Sequence, residues 1–65
     1  MKFKEFIEVK TLVKKGDVNI GEIGTIICAL NHPREGYIVE FCNDTDYTPW
    51  ATETYGPDEL EEIKK

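Results

Sequence analysis

At 65 residues, 40% hydrophobic and 32% charged, the chain is the size of one small globular domain, too short for a separate catalytic domain and too apolar for a disordered one. Its net charge of -5 arises entirely after Arg34, where nine carboxylates precede the next cation, Lys64; up to Arg34 six cations outnumber four acids. No apolar run approaches the ~20 residues that span a bilayer, and the two cysteines lack metal-ligand spacing, which argues for free thiols over a disulfide scaffold or a zinc module.

From the first residue, charge interrupts the apolar positions so often that no signal-peptide core forms, and a cytoplasmic protein is expected. Ile7 to Val13 reads as a first strand, with Ile7, Val9 and Thr11 on one side and Glu8, Lys10 and Leu12 on the other. Lys14-Lys15-Gly16-Asp17 signals a turn, and an irregular excursion continues through Val18-Asn19-Ile20-Gly21. Gly24 to Leu30 is the most strand-like segment, dense in β-branched residues, with Ile26, Cys28 and Leu30 sharing one face.

Asn31 to Gly36, with Pro33, forms a turn into a third strand, where Tyr37, Val39 and Phe41 face one way and Ile38 and Glu40 the other. Asn43-Asp44-Thr45-Asp46 is a second turn. The Thr- and aromatic-rich stretch to Tyr55 contains Pro49, which cannot donate into a ladder and so predicts an edge strand or one that starts after Pro49. Gly56-Pro57-Asp58-Glu59-Leu60 predicts a single helical turn, with acids at the positive end of its dipole, and Leu60 and Ile63 could cap the core or form a brief closing strand. Four to five short strands and one helical turn near the C-terminus predict an all-β, small antiparallel barrel, one domain over residues 1–65.

Ile7-Glu8-Val9, Lys15-Gly16-Asp17, Gly21-Glu22-Ile23-Gly24-Thr25-Ile26-Ile27, Tyr37 to Phe41 and Pro57-Asp58-Glu59-Leu60 appear in an order that resembles a family of short bacterial proteins of unknown function with an SH3-like barrel. The resemblance spans roughly residues 6 to 63. It implies a free-standing mini-barrel. Because some members occur beside toxins, it also implies a role as a cognate immunity protein. Gly21, Gly24 and Ile26 also share the spacing of the KOW motif of ribosomal and transcription-factor barrels, although glycines there serve a bent strand before they serve function.

Enzymatic chemistry finds little support. His32, the only histidine, falls in a turn; Cys28 is expected in the core, and Cys42, at a strand end, is the one thiol placed to be exposed. A calcium loop opening at Asn43 would need glycine at its sixth position and glutamate at its twelfth, where Thr48 and Thr54 stand. No catalytic residue, metal site or cofactor is expected.

Direct nucleic-acid binding is disfavoured, because the aromatics that would stack bases lie among carboxylates that repel phosphate. Trp50 is either core or binding anchor, and alternation puts it opposite Tyr55, leaving one aromatic outward in either register.

The expected function is therefore an acidic protein-binding module. Its contact residues are Asp44, Asp46, Tyr47, Trp50, Glu53, Tyr55, Asp58 and Glu59, and its partner is a basic protein such as a nuclease toxin. The alternatives are an adaptor subunit of a larger complex and, third, a KOW-like RNA-binding module.

Overall fold

The computed structural model describes residues 2–64. Five strands, β1 (Glu8–Thr11), β2 (Ile23–Leu30), β3 (Gly36–Cys42), β4 (Pro49–Tyr55) and β5 (Leu60–Glu62), form one antiparallel sheet in the order β4-β3-β2-β1-β5, with a single 3-10 turn at Pro57–Glu59. The expected all-β architecture is present, and β4, which begins at Pro49, is an edge strand as proline requires.

The sheet curls on itself. Tyr55 from β4 and Leu60 from β5 belong to strands at opposite edges, yet both are buried in one cluster with Val9, Ile26, Tyr37, Val39 and Phe41. A small barrel closes its core in this way, each strand contributing alternate side chains to the interior. In β3 the alternation is as expected, with Tyr37, Val39 and Phe41 inside.

Two residues from outside the strands complete the core, Phe3 and Val18. Phe3 packs edge-on to Tyr37 with ring centroids 5.2 Å apart. Its amide donates to the Tyr37 hydroxyl at 3.0 Å, and that hydroxyl donates in turn to Glu35, which also accepts from the Lys2 amide at 2.8 Å. The Tyr37 hydrogen bond, and then that amide, hold the Glu35 carboxyl below its ordinary value, while burial and then Glu35 push the Tyr37 hydroxyl up.

The excursion between β1 and β2 is stitched down by Thr11, which is fully buried. Its Oγ1 donates to the Asn19 carbonyl at 2.7 Å and accepts the Glu22 amide at 3.0 Å. Gly24 must be glycine for a packing reason: a Cβ there would lie 2.6 Å from Val39 Cγ1 and 2.7 Å from the Phe41 ring.

Two β-bulges change what simple alternation predicts. The register of β2 on β3 slips between Ile26 and Cys28, so Ile27 is the extra residue. Ile26 stays inside, but beyond the slip Ala29 packs on the core while Cys28 is half-buried and Leu30 exposed. The expectation that Ile26, Cys28 and Leu30 share a core face is therefore corrected. The second bulge lies where Phe41 pairs Ala51 but Cys42 pairs Pro49, leaving Trp50 as the extra residue in β4.

Candidate functional site

The antiparallel register decides which acids can meet. Residues directly opposite share a face, so Glu8, Thr25, Glu40 and Thr52 form one row across four strands on the outside of the barrel. Lys10 sits in a neighbouring row between Ile23 and Glu61 and pairs with Glu61 at 3.2 Å. By the same rule Glu53 stands opposite buried Val39, and Tyr55 opposite buried Tyr37, so both turn inward.

The eight residues expected to form one contact surface therefore fall into two groups. Asp44, Asp46, Tyr47 and Trp50 gather at the turn between β3 and β4. Glu53, Tyr55, Asp58 and Glu59 lie toward and beyond the other end of β4, Tyr55 about 16 Å from Trp50 at ~3.3 Å per residue.

In the second group one carboxylate, Glu59, is already engaged within the fold. Lys15 Nζ pairs with Glu59 at 3.0 Å, donates to the Thr54 carbonyl at 3.0 Å and lies 5.2 Å from the centre of the Tyr55 ring. Glu59 also accepts the Gly56 amide at 2.8 Å, and this bond first, then Lys15, holds its carboxyl below the ordinary value. Glu53 reaches over Gly16, whose φ of +55° only glycine adopts readily; a Cβ there would stand 2.8 Å from Glu53 Oε2.

Tyr55 is 1% exposed, so its ring is core and not a contact residue, which corrects the expectation. Burial, then Glu53 and Glu59, pushes its hydroxyl up, and that hydroxyl has no hydrogen-bond partner among the described residues. Only Asp58 remains simply exposed.

The first group has the opposite character. The turn is closed by Asn43 N–H to Thr48 O at 2.9 Å and Tyr47 N–H to Asn43 O at 3.0 Å. Asp46 serves that turn: its Oδ1 accepts the Thr48 amide at 3.0 Å, the main reason its carboxyl lies below the ordinary value. Tyr47 is thereby held at φ +59° with its ring 77% exposed. Trp50, the extra residue of its bulge, packs against Phe41 with ring planes tilted at 41° and centroids 5.7 Å apart, and the residue is 42% exposed. It is thus both packed and available. The Asp44 carboxylate has no partner among the described residues.

Two shallow depressions flank this turn. The first, about 340 Å³, is lined by Glu8, Thr25, Glu40 and Tyr47; the second, about 250 Å³, by Glu22 and Trp50; both share Ile23, Cys42, Asn43 and Asp44. No Lys or Arg is among the described residues lining either one. They form one concave strip floored by Ile23, which is 47% exposed, with Tyr47 on one rim and Trp50 on the other.

Glu8, Glu22, Ile23 and Glu40 are site residues that sequence proximity did not suggest. Cross-strand register brings them there, and reading Glu8 opposite Thr25 and Thr25 opposite Glu40 would have found two of them. A larger depression, about 730 Å³, lies at the opposite end of the barrel but mixes Lys15, His32 and Arg34 with Glu35, Asp58 and Glu59, so it selects no sign of charge.

Cys42 is poorly suited to nucleophilic work. Its thiol faces Glu40 Oε1 at 3.7 Å, and burial, then that carboxylate, raises its pKa and disfavours the thiolate. It sits at the end of β3 remote from His32, which precedes the start of that strand. No cluster of three or more His, Cys, Asp or Glu among the described residues is placed to hold a metal ion, and no helix among them is long and apolar enough to cross a membrane. No protein-family model, curated protein or solved structure matches the chain.

Proposed function

We propose that the protein is a non-catalytic binding module that presents the concave strip at the β3–β4 turn to a basic protein. In its most concrete form it is an immunity protein that covers the cationic substrate site of a nuclease toxin, as the likeness to toxin-associated mini-barrels suggests. The observation that carries the reading is the composition of the strip: Glu8, Glu22, Glu40 and Asp44 around exposed Ile23, rimmed by Tyr47 and Trp50, without a lining cation among the described residues.

Carboxylates at such a rim steer a cationic partner and raise its association rate, while a desolvated aromatic slows its departure. A toxin that grips nucleic acid must display Lys and Arg, the complement of this strip.

The test is capture on the tagged protein at low ionic strength, a salt step, identification by mass spectrometry and assay of the eluted partner for nuclease activity. A single basic nuclease, inhibited by the native protein and not by Asp44→Lys, is expected. Elution of RNA alone, or inhibition unaffected by Asp44→Lys, would refute the reading.

A second reading, an adaptor subunit of a larger assembly, is favoured by one observation. Phe6 and Ile20 are 74% and 67% exposed and line neither depression. It predicts co-elution of a stoichiometric multi-subunit complex that survives the salt step.

A further inference from the structure

Resting on the protein-binding reading above, the geometry points to a specific cation: we propose that the strip seats an arginine-bearing extended segment of the partner, one guanidinium in each depression, and discriminates against lysine.

The division of the strip carries the argument. Each depression has its own carboxylates, Glu8 and Glu40 in one and Glu22 in the other, and its own exposed aromatic, Tyr47 or Trp50, while Asp44 belongs to both. A site that offered charge alone would hold Lys and Arg equally. A planar guanidinium can lie against an aromatic face and still direct its edge N–H groups at a carboxylate. A compact, strongly hydrated ammonium cannot satisfy both partners in this way.

Both rings are offered to solvent by devices that would otherwise be unfavourable. Trp50 is raised by a bulge, and Tyr47 stands in a left-handed conformation that asparagine or glycine would adopt more easily. Charge complementarity sets the sign of the occupant. The pairing of ring and carboxylate in each depression sets its shape. Ile23 on the shared floor contacts the aliphatic stems, which arginine buries while its head stays polar.

Trp50 is the only tryptophan in the chain, so its fluorescence reports on one rim directly. The probes are a short capped peptide with two arginines separated by a serine, its lysine counterpart and its citrulline counterpart, titrated into the intact protein at low ionic strength. The arginine peptide is expected to perturb Trp50 emission and the amide resonances of Ile23 and Asn43, and to bind about tenfold more tightly than the lysine peptide, the scale of one added cation–π and bidentate contact. Citrulline, uncharged, should not bind.

Tyr47→Asn and Trp50→Leu, followed by amide shifts, should bring the arginine-to-lysine ratio toward one, whereas Asp44→Asn should weaken both peptides together. Equal affinity for arginine and lysine, no binding by either, or shifts centred on Lys15 and His32 would overturn the proposal. If the arginine peptide binds the strip but no basic protein is captured from cells, the site stands and the immunity reading falls. If a nuclease is captured and Asp44→Lys abolishes its inhibition while Tyr47→Asn and Trp50→Leu leave its binding unchanged, the arginine site falls and the reading stands.

Discussion

Single side chains here carry opposed demands, and Tyr47 shows the conflict most directly. Its backbone sits where a bulky residue is strained, and its ring touches solvent. Tyr47→Asn should therefore raise stability by about 0.5–1 kcal/mol in urea denaturation while weakening binding of the proposed basic partner, a gain in one property set against a loss in the other.

Thr11 and Gly24 have no such duality. Thr11→Val keeps the shape but leaves the Asn19 carbonyl and Glu22 amide unpartnered, and it should cost about 1–3 kcal/mol. Gly24→Ala forces a methyl into Val39 and Phe41 and should cost about 1–3 kcal/mol by overpacking. Both are read from denaturation midpoints at constant slope.

Glu59 gives a pH-dependent case. Its carboxyl is depressed below 4.5 in the folded state, so its contribution is present above that value and is lost as pH falls through the folded pKa. Glu59→Gln should lower the urea midpoint at neutral pH, and the difference from the native protein should shrink steadily on acidification below 4.5. A difference that grew with acid would reverse the sign and refute the assignment.

At the scale of strands, sequence patterning gave away the segments but not the slips within them. β-branched density located β2, strict alternation located both faces of β3, and Pro49 marked β4 as an edge strand. A bulge adds one residue without any compositional mark, so the faces of Cys28 and Leu30 were inverted and Trp50 stood outside the two-face alternative.

The site was half legible for the same reason. Asp44, Tyr47 and Trp50 are near neighbours in the chain, but Glu8, Glu22 and Glu40 reach them only through register, and Glu59 is withdrawn by Lys15, distant in sequence. Adjacent isoleucines offer a check on the β2 bulge. Ile26→Ala should cost about 2–5 kcal/mol, whereas Ile27→Ala, at a 37% exposed position, should cost much less. Similar losses at both would mean that the strand runs without a slip.

For the molecule as a whole, charge is divided by place as well as by sequence. Beyond one end of β4 Glu59 is tied to Lys15, and at the other end the Asp44 carboxylate is without a partner among the described residues. Association with the proposed basic partner should therefore lose rate steeply with added salt, while dissociation, which the proposal assigns to Trp50 and Ile23, should change little. Stopped-flow mixing at graded ionic strength separates the two.

The sheet order also constrains how the barrel comes together in time. β2, β3 and β4 join neighbours through short turns, but β1 lies between β2 and the last strand, with Val9 opposite Glu62 and the Ile63 amide donating to Glu8 O at 3.0 Å. That seam closes the longest loop in the chain, and its entropy must be spent before its contacts return anything. The three-stranded meander is thus expected to form the folding nucleus, with the seam closing on the downhill side of the barrier. A truncation at Leu60 should accelerate unfolding and leave the refolding rate almost unchanged, whereas shortening Val39 should slow refolding. The lifetime of the native barrel, more than its rate of formation, is then set by three residues at its far edge.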